Sequence, residues 1–208
     1  MTRMVRSLVG VLAIVAAGGA AAAQLIFEVS AGDRRIGEHR YEIIEDAQGI
    51  QLAALADMRV TILRVPVFTY RHEVNERWRD GCLVELHSTT KSQGDEWRVE
   101  GRLDDGVFVV DRMFNETRER ESLDACTASF AYWDPSLLVG RSKLLNGQTG
   151  EYEPLDVNVT EGTEESPRRI RLVAAKFTID LDYREAQWVG LESLTGDDQR
   201  LRYRPKRR

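Results

Sequence analysis

Two of the three histidines in this chain, His39 and His72, stand among apolar residues, and Glu76 follows His72 at the same spacing rule. From Phe68 to Trp78, the residues Phe68, Tyr70, His72, Val74, Glu76 and Trp78 alternate with Thr69, Arg71, Glu73, Asn75 and Arg77. Strand side chains point alternately to two faces, so this is a half-buried strand whose inner face carries an imidazole and a carboxylate. Such a pair can orient the polar end of an apolar ligand, act as acid and base, or hold a metal. His72 and Glu76 lie four strand residues apart, roughly 13 Å, so no metal is expected. His87 falls on the outward face.

His39 belongs to a second alternation, Gly37, His39, Tyr41 and Ile43. With hairpin turns centred near residues 47 to 48 and 65 to 66, His39 faces Ala56 and Ala56 faces Glu76. Two strand spacings, about 9.5 Å, then let His39 and Glu76 meet over the alanine. The candidate site is therefore His39, Ala56, Tyr70, His72, Glu76 and Trp78. Small inner residues, Gly37, Ala54, Ala56 and Gly101, set among Tyr41, Phe68, Trp78 and Trp97, leave volume for an apolar ligand. The alternative is that neighbouring aromatics fill the gaps, as close packing favours.

No nucleophile elbow, phosphate loop, dinucleotide fingerprint or His-Glu-x-x-His occurs, so no cofactor is expected and catalytic residues stay unassigned. Asp134, beside Tyr132 and Trp133, is a candidate acid, but Asp-Pro reads more simply as a helix cap. Asn146, Gln148 and Thr149 form a polar loop suited either to a cavity mouth or to a plain turn.

The elements that must position these residues are strands. Alternation marks them near Leu25 to Ser30, Arg35 to Glu45, Leu52 to Ile62, Phe68 to Trp78, Cys82 to Leu86, Trp97 to Leu103 and Val107 to Met113. More follow near Tyr152 to Val159, Ile170 to Ala174, Phe177 to Tyr183, Trp188 to Leu194 and Leu201 to Tyr203. Turn residues punctuate them, and Val65-Pro66 reads as the bend before the central strand. Residues 114 to 125 are polar and read as a loop. One short helix is expected near residues 135 to 139, capped by Asp134, begun by Pro135 and closed by Gly140. The fold class is all-β: a single antiparallel meander of roughly ten to twelve strands, which twist forces to roll into a barrel or half-barrel.

Residues 1 to 23 run from two arginines through an apolar stretch to Ala21-Ala22-Ala23, the order of a secretory signal peptide cleaved after Ala23. Residues 24 to 208 form one β-barrel-like domain. Removing Arg3 and Arg6 leaves 27 basic against 34 acidic residues, net −7, which argues against nucleic acid as a partner. The basic tail, Arg200, Arg202, Arg204, Lys206, Arg207 and Arg208, is a candidate peripheral membrane contact, or simply a solvated last strand. Cys82 and Cys126 are the only cysteines. Export to an oxidising compartment makes one disulfide the natural reading, and two buried thiols the alternative.

Several stretches resemble an exported bacterial family known as a domain of unknown function. They are Ile36-Gly-Glu-His39, Tyr70-Arg-His72, Glu76-Arg-Trp78, Asp80-Gly-Cys82, Phe130-Ala-Tyr-Trp-Asp-Pro135, Leu144 to Tyr152 and Trp188-Val-Gly-Leu-Glu192. Asp182-Tyr183 departs from that pattern, which favours an apolar or aromatic residue before the tyrosine. The resemblance implies an exported β-domain and brings no assigned activity. More loosely, the rolled sheet is similar to periplasmic half-barrel lipid carriers and lipocalins, at fold level only. The expected function is a periplasmic binding protein for a small hydrophobic or lipid-like ligand. The alternatives are an envelope accessory or assembly protein acting through its surface and, behind it, an acid-base enzyme built on histidine and glutamate.

Overall fold

Period-two alternation carries nearly the whole chain into strands. The computed structural model describes residues 21–63, 65–195 and 200–206, so that of the expected signal peptide, residues 1 to 23, the first twenty lie outside the described residues. Fourteen strands form one antiparallel sheet: β1 (Ala21–Ala31), β2 (Arg34–Asp46), β3 (Gly49–Ile62), β4 (Val65–Arg79), β5 (Cys82–Ser92), β6 (Asp95–Asp104), β7 (Val107–Phe114), β8 (Thr117–Leu123), β9 (Lys143–Leu145), β10 (Tyr152–Thr160), β11 (Arg168–Ala174), β12 (Phe177–Arg184), β13 (Gln187–Thr195) and β14 (Arg200–Pro205). Two meanders, β1 to β8 and β9 to β14, are joined edge to edge by the pairing of β1 with β14. The end strands β8 and β9 do not pair with each other, so the sheet stays open and half-barrel-like.

How far the sheet curls follows from one connection. The chain between β8 and β9 crosses the concave side: Thr127 C=O accepts from Leu83 N–H of β5, and Tyr132 C=O accepts from the Tyr183 hydroxyl of β12. Along the sheet, β5 and β12 are seven steps apart, about 33 Å at the usual strand spacing. Five residues reach at most about 18 Å. The segment is also bent, with Ala131 N–H bonded to Ser129 C=O and Tyr132 N–H to Phe130 C=O, so even with the length of the Tyr183 side chain added it joins the two strands only if the sheet is rolled. Ala128, Ala131, Leu138, Leu144 and Leu145 on or beside this crossing segment are buried in the main core with Trp78, Leu83 and Leu86. A disulfide between Cys82 and Cys126 ties the segment to the start of β5.

Several expectations change. Residues 114–125 are not a loop: Phe114 ends β7 and Thr117–Leu123 forms β8, an exposed edge whose charged side chains suit a strand that must not pair further. The short helix is a three-residue 3-10 turn, Pro135–Leu137, with Asp134 Oδ1 accepting from Ser136 N–H as its cap. The bend into β4 is not at Val65-Pro66. It lies at Leu63, whose φ is +47°, and a bulge between Val60 and Thr61 places Thr61 opposite Pro66. The basic stretch from Arg200 to Arg204 does form the last strand, and β14 lies between β1 and β13. Arg202 pairs with Glu192 and Lys206 with Glu38, while Arg207 and Arg208 lie outside the described residues.

Candidate functional site

The rolled sheet and its crossing segment enclose a cavity of about 640 Å³. Ile36, Met58, Val60 and Phe68 form one wall, Ile179, Leu191 and Leu201 the other, and Phe130, Trp133 and Gln148 cover it. Ala31, Val67, Gln93 and Leu201 sit at strand ends on one rim of the roll. Val67, Gln93 and Gln148 are exposed, so the cavity reaches solvent there. The opposite rim, which carries the disulfide, is filled by Trp78, Leu83, Leu137 and Leu138.

Across the cavity floor, His39 on β2 faces Ala56 on β3, and Ala56 faces His72 on β4. This corrects the expected meeting of His39 with Glu76, since Glu76 faces Leu52. Moving the turn from 65–66 back to Leu63, together with the bulge between Val60 and Thr61, shifts the pairing by four residues, an even number. The inner face therefore keeps its residues while their partners change. Glu76 lies roughly 13 Å further along the sheet.

Each floor group has its own neighbours. The Tyr41 hydroxyl is 3.0 Å from His39 Nδ1, and the two rings stack with centroids 4.2 Å apart. His39 Nε2 is buried with no hydrogen-bond partner. His72 Nδ1 is 2.8 Å from the Thr90 hydroxyl, which donates on to the Gln148 carbonyl at 3.4 Å. With its proton so committed, Thr90 accepts from His72 Nδ1–H. Glu76 Oε2 accepts from the Trp78 indole at 2.8 Å. Half-buried Tyr70 lines the cavity with its ring 6.5 Å from His72.

A family model described as Domain of unknown function (DUF6134) matches residues 27–206, a span that contains every cavity residue. The chain belongs to this family. No curated protein and no solved structure matches it. The chemistry of the DUF6134 cavity is therefore read from its own side chains.

Burial dominates their electrostatics. Loss of water pushes His39 down to about 3, with the nearby His72 adding to the effect. Burial likewise lowers His72 to about 4 against an opposing pull from Glu73. Burial raises Glu76, partly offset by hydrogen bonds from Ser129 and Trp78. Tyr41 and Tyr70 are pushed well up by burial and keep their protons. At neutral pH both imidazoles are uncharged.

His39, Ala56, Tyr70, His72 and Glu76 all line this DUF6134 cavity. Trp78 does not: it is buried behind Glu76, edge-on to Trp133 with centroids 6.2 Å apart. Three of the small residues are also not cavity formers, Ala54 being buried in the main core away from the cavity lining. A Cβ on Gly101 would lie 2.6 Å from the Phe108 ring, and one on Gly37 would strike the Asp57 carbonyl, so both glycines answer close packing. Asn146 and Gln148 of the polar loop do line the cavity, whereas Thr149 accepts from Glu151 N–H. Sequence reasoning missed Tyr203, Ser129 and Thr90. Tyr203 was hidden in the alternation Arg202-Tyr203-Arg204, and nothing in the sequence marks Ser129. Among the described residues no cluster of three His, Cys, Asp or Glu is placed to hold a metal ion.

Proposed function

We propose that this protein binds a small hydrophobic or lipid-like molecule in the cavity, and that it works after export to an oxidising compartment such as the periplasm. The observation that carries the reading is the cavity itself. Its volume of about 640 Å³ falls within the roughly 300–1,000 Å³ usual for small-molecule sites, and a mostly apolar lining with a few convergent polar groups is their usual make-up. Support for export comes from the arginine, apolar and alanine order of residues 1 to 23 and from a disulfide, which persists in oxidising compartments. The acid-base alternative has less behind it, because Glu76 is offset from both histidines and is held by Trp78 and Ser129.

Ala56 faces the cavity between the two imidazoles, so Ala56→Phe projects a ring into the space a ligand would take. The apolar fluorophore N-phenyl-1-naphthylamine is expected to brighten on the wild-type protein and not on Ala56→Phe. Native mass spectrometry of protein purified from its own host should show a non-covalent adduct that Ala56→Phe lacks. A wild-type protein that carries no adduct and leaves the fluorophore dark would overturn the proposal.

A further inference from the structure

The three most exposed large apolar side chains among the described residues are Leu63, Val65 and Val67, at 94 %, 60 % and 47 %. All three stand on one hairpin tip, the turn from β3 into β4. Single exposed apolar residues are ordinary, whereas a cluster of them marks a contact. This cluster adjoins the cavity mouth. Val67 belongs both to the exposed tip and to the cavity wall, where Phe68 follows it and Val60 stands opposite Phe68 on β3. Val65 and Val67 lie two apart on β4 and share a face. Apolar surface therefore runs from the tip into the cavity.

The size of the tip and the residues around it say what covers it. Three side chains fall well short of the roughly 1,000 Å² that a stable protein interface needs. An apolar turn needs no matching surface to enter the headgroup boundary of a bilayer, where binding follows the apolar area buried and attraction to anionic lipid. The chain as a whole is acidic, so that attraction has to be local. Arg34 of β2 is exposed, and its Nη2 donates to the Thr61 carbonyl at 2.7 Å, which holds the guanidinium at the base of the tip. Arg59 is exposed on β3, and Asp33 is the acid beside them on the turn from β1 into β2. On the same rim Trp97 of β6 stacks on exposed Phe114 of β7, with centroids 4.9 Å apart. Tryptophan is favoured at the boundary between membrane and water.

We infer that the β3–β4 tip docks on a phospholipid bilayer. Leu63, Val65 and Val67 enter the headgroup boundary, Arg34 and Arg59 meet anionic head groups, and the cavity mouth faces lipid, so that an apolar molecule passes between bilayer and cavity without crossing water. The docking stands on the tip, and only the transfer rests on the ligand-cavity reading above. The test is flotation of protein purified from its own host with vesicles of phosphatidylcholine alone or in equal mixture with phosphatidylglycerol. Wild type is expected to float with both, and better with the mixture. Leu63→Asp, Val65→Asp should need at least about tenfold more lipid for half-binding. Aspartate tolerates the left-handed φ of Leu63, so this variant keeps the turn. It should still brighten N-phenyl-1-naphthylamine in vesicle-free solution, which separates loss of docking from loss of the cavity. Arg34→Gln, Arg59→Gln should weaken binding to the mixture about fivefold or more and leave binding to phosphatidylcholine alone unchanged. Ile44→Asp, Val107→Asp puts equal charge on exposed apolar residues of the opposite rim and should float as wild type does. A wild-type protein that floats with neither vesicle, or a tip variant that floats as well as wild type, would overturn the docking and leave the cavity reading standing. Equal loss in the Ile44, Val107 variant would reduce the effect to added negative charge and overturn it as well. A wild-type dimer in sedimentation that the tip variant turns into a monomer would assign the tip to a second copy of the chain instead.

Discussion

Acidification from pH 7 to pH 5 is expected to weaken the fold, and the two floor histidines set the size of the effect. In the unfolded chain an imidazole takes its proton near 6.5. In the folded protein burial holds His39 near about 3 and His72 near about 4. Between those values the unfolded state binds more protons, so stability is fully present above about 6.5 and is lost as pH falls. From pH 7 to pH 5 each imidazole removes about 2 kcal/mol, and the pair about 3–4 kcal/mol. Glu76 works the other way, because a carboxyl group raised by burial favours the folded state at low pH and returns part of the loss. Glu38, held near 2 by Lys206 and Arg40, loses its contribution as pH falls from the ordinary carboxylate value towards 2, below this window. A net drop of about 2–4 kcal/mol is a large share of the total stability of a typical domain. Urea unfolding of the oxidised protein at pH 7, 6 and 5 measures it, with the His39→Gln, His72→Gln double variant as the reference that cannot titrate. A wild-type midpoint that does not move between pH 7 and 5, or that moves equally in the double variant, would show that these imidazoles are not buried neutral.

Reduction of the disulfide opens a closed loop with a sequence separation of 44 residues, and chain entropy assigns this about 4 kcal/mol. Urea midpoints with and without dithiothreitol should differ accordingly, and coincident curves would refute the role given to the bond. Gly101→Ala forces a methyl against the Phe108 ring and should lower stability by about 1–3 kcal/mol. Part of that loss should return in the Gly101→Ala, Phe108→Leu pair. A melting temperature equal to that of the wild type would show the contact to be looser than it stands here.

Strand faces were legible because parity is robust. His39 keeps both its side of the sheet and its expected partner Ala56, and His72 and Glu76 keep their side even though their partners on β3 shift by four residues. Register between β2 and β3 was legible, but between β3 and β4 it was not, since it hangs on which residues make the turn, and Leu63 in a left-handed conformation carries no turn signature. The edge strand β8, Thr-Arg-Glu-Arg-Glu-Ser-Leu, hides from hydrophobic alternation because both of its faces are polar. Hairpins with Asp-Gly were easier: Asp80-Gly81 and Asp105-Gly106 both hold positive φ at both positions, as a tight primed turn requires. Small residues misled for a general reason. A glycine on an inner face answers either an empty space or a close neighbour, and only coordinates separate Gly101 under Phe108 from Ala56 at the cavity.

The seam between β1 and β14 also governs the timing of folding. Phe27 pairs with Pro205 and Ala31 with Leu201, so the first described strand finds one of its neighbours only when the last has left the ribosome. Until then β1 keeps an edge open, and open edges recruit wrong partners. Contacts that close so long a loop also form slowly. Such a chain gains little by folding while it is being made and is well suited to being held extended until it is whole. Deleting Arg200 to Pro205 should therefore do more than trim an end: it would leave two half-sheets with nothing to hold them edge to edge.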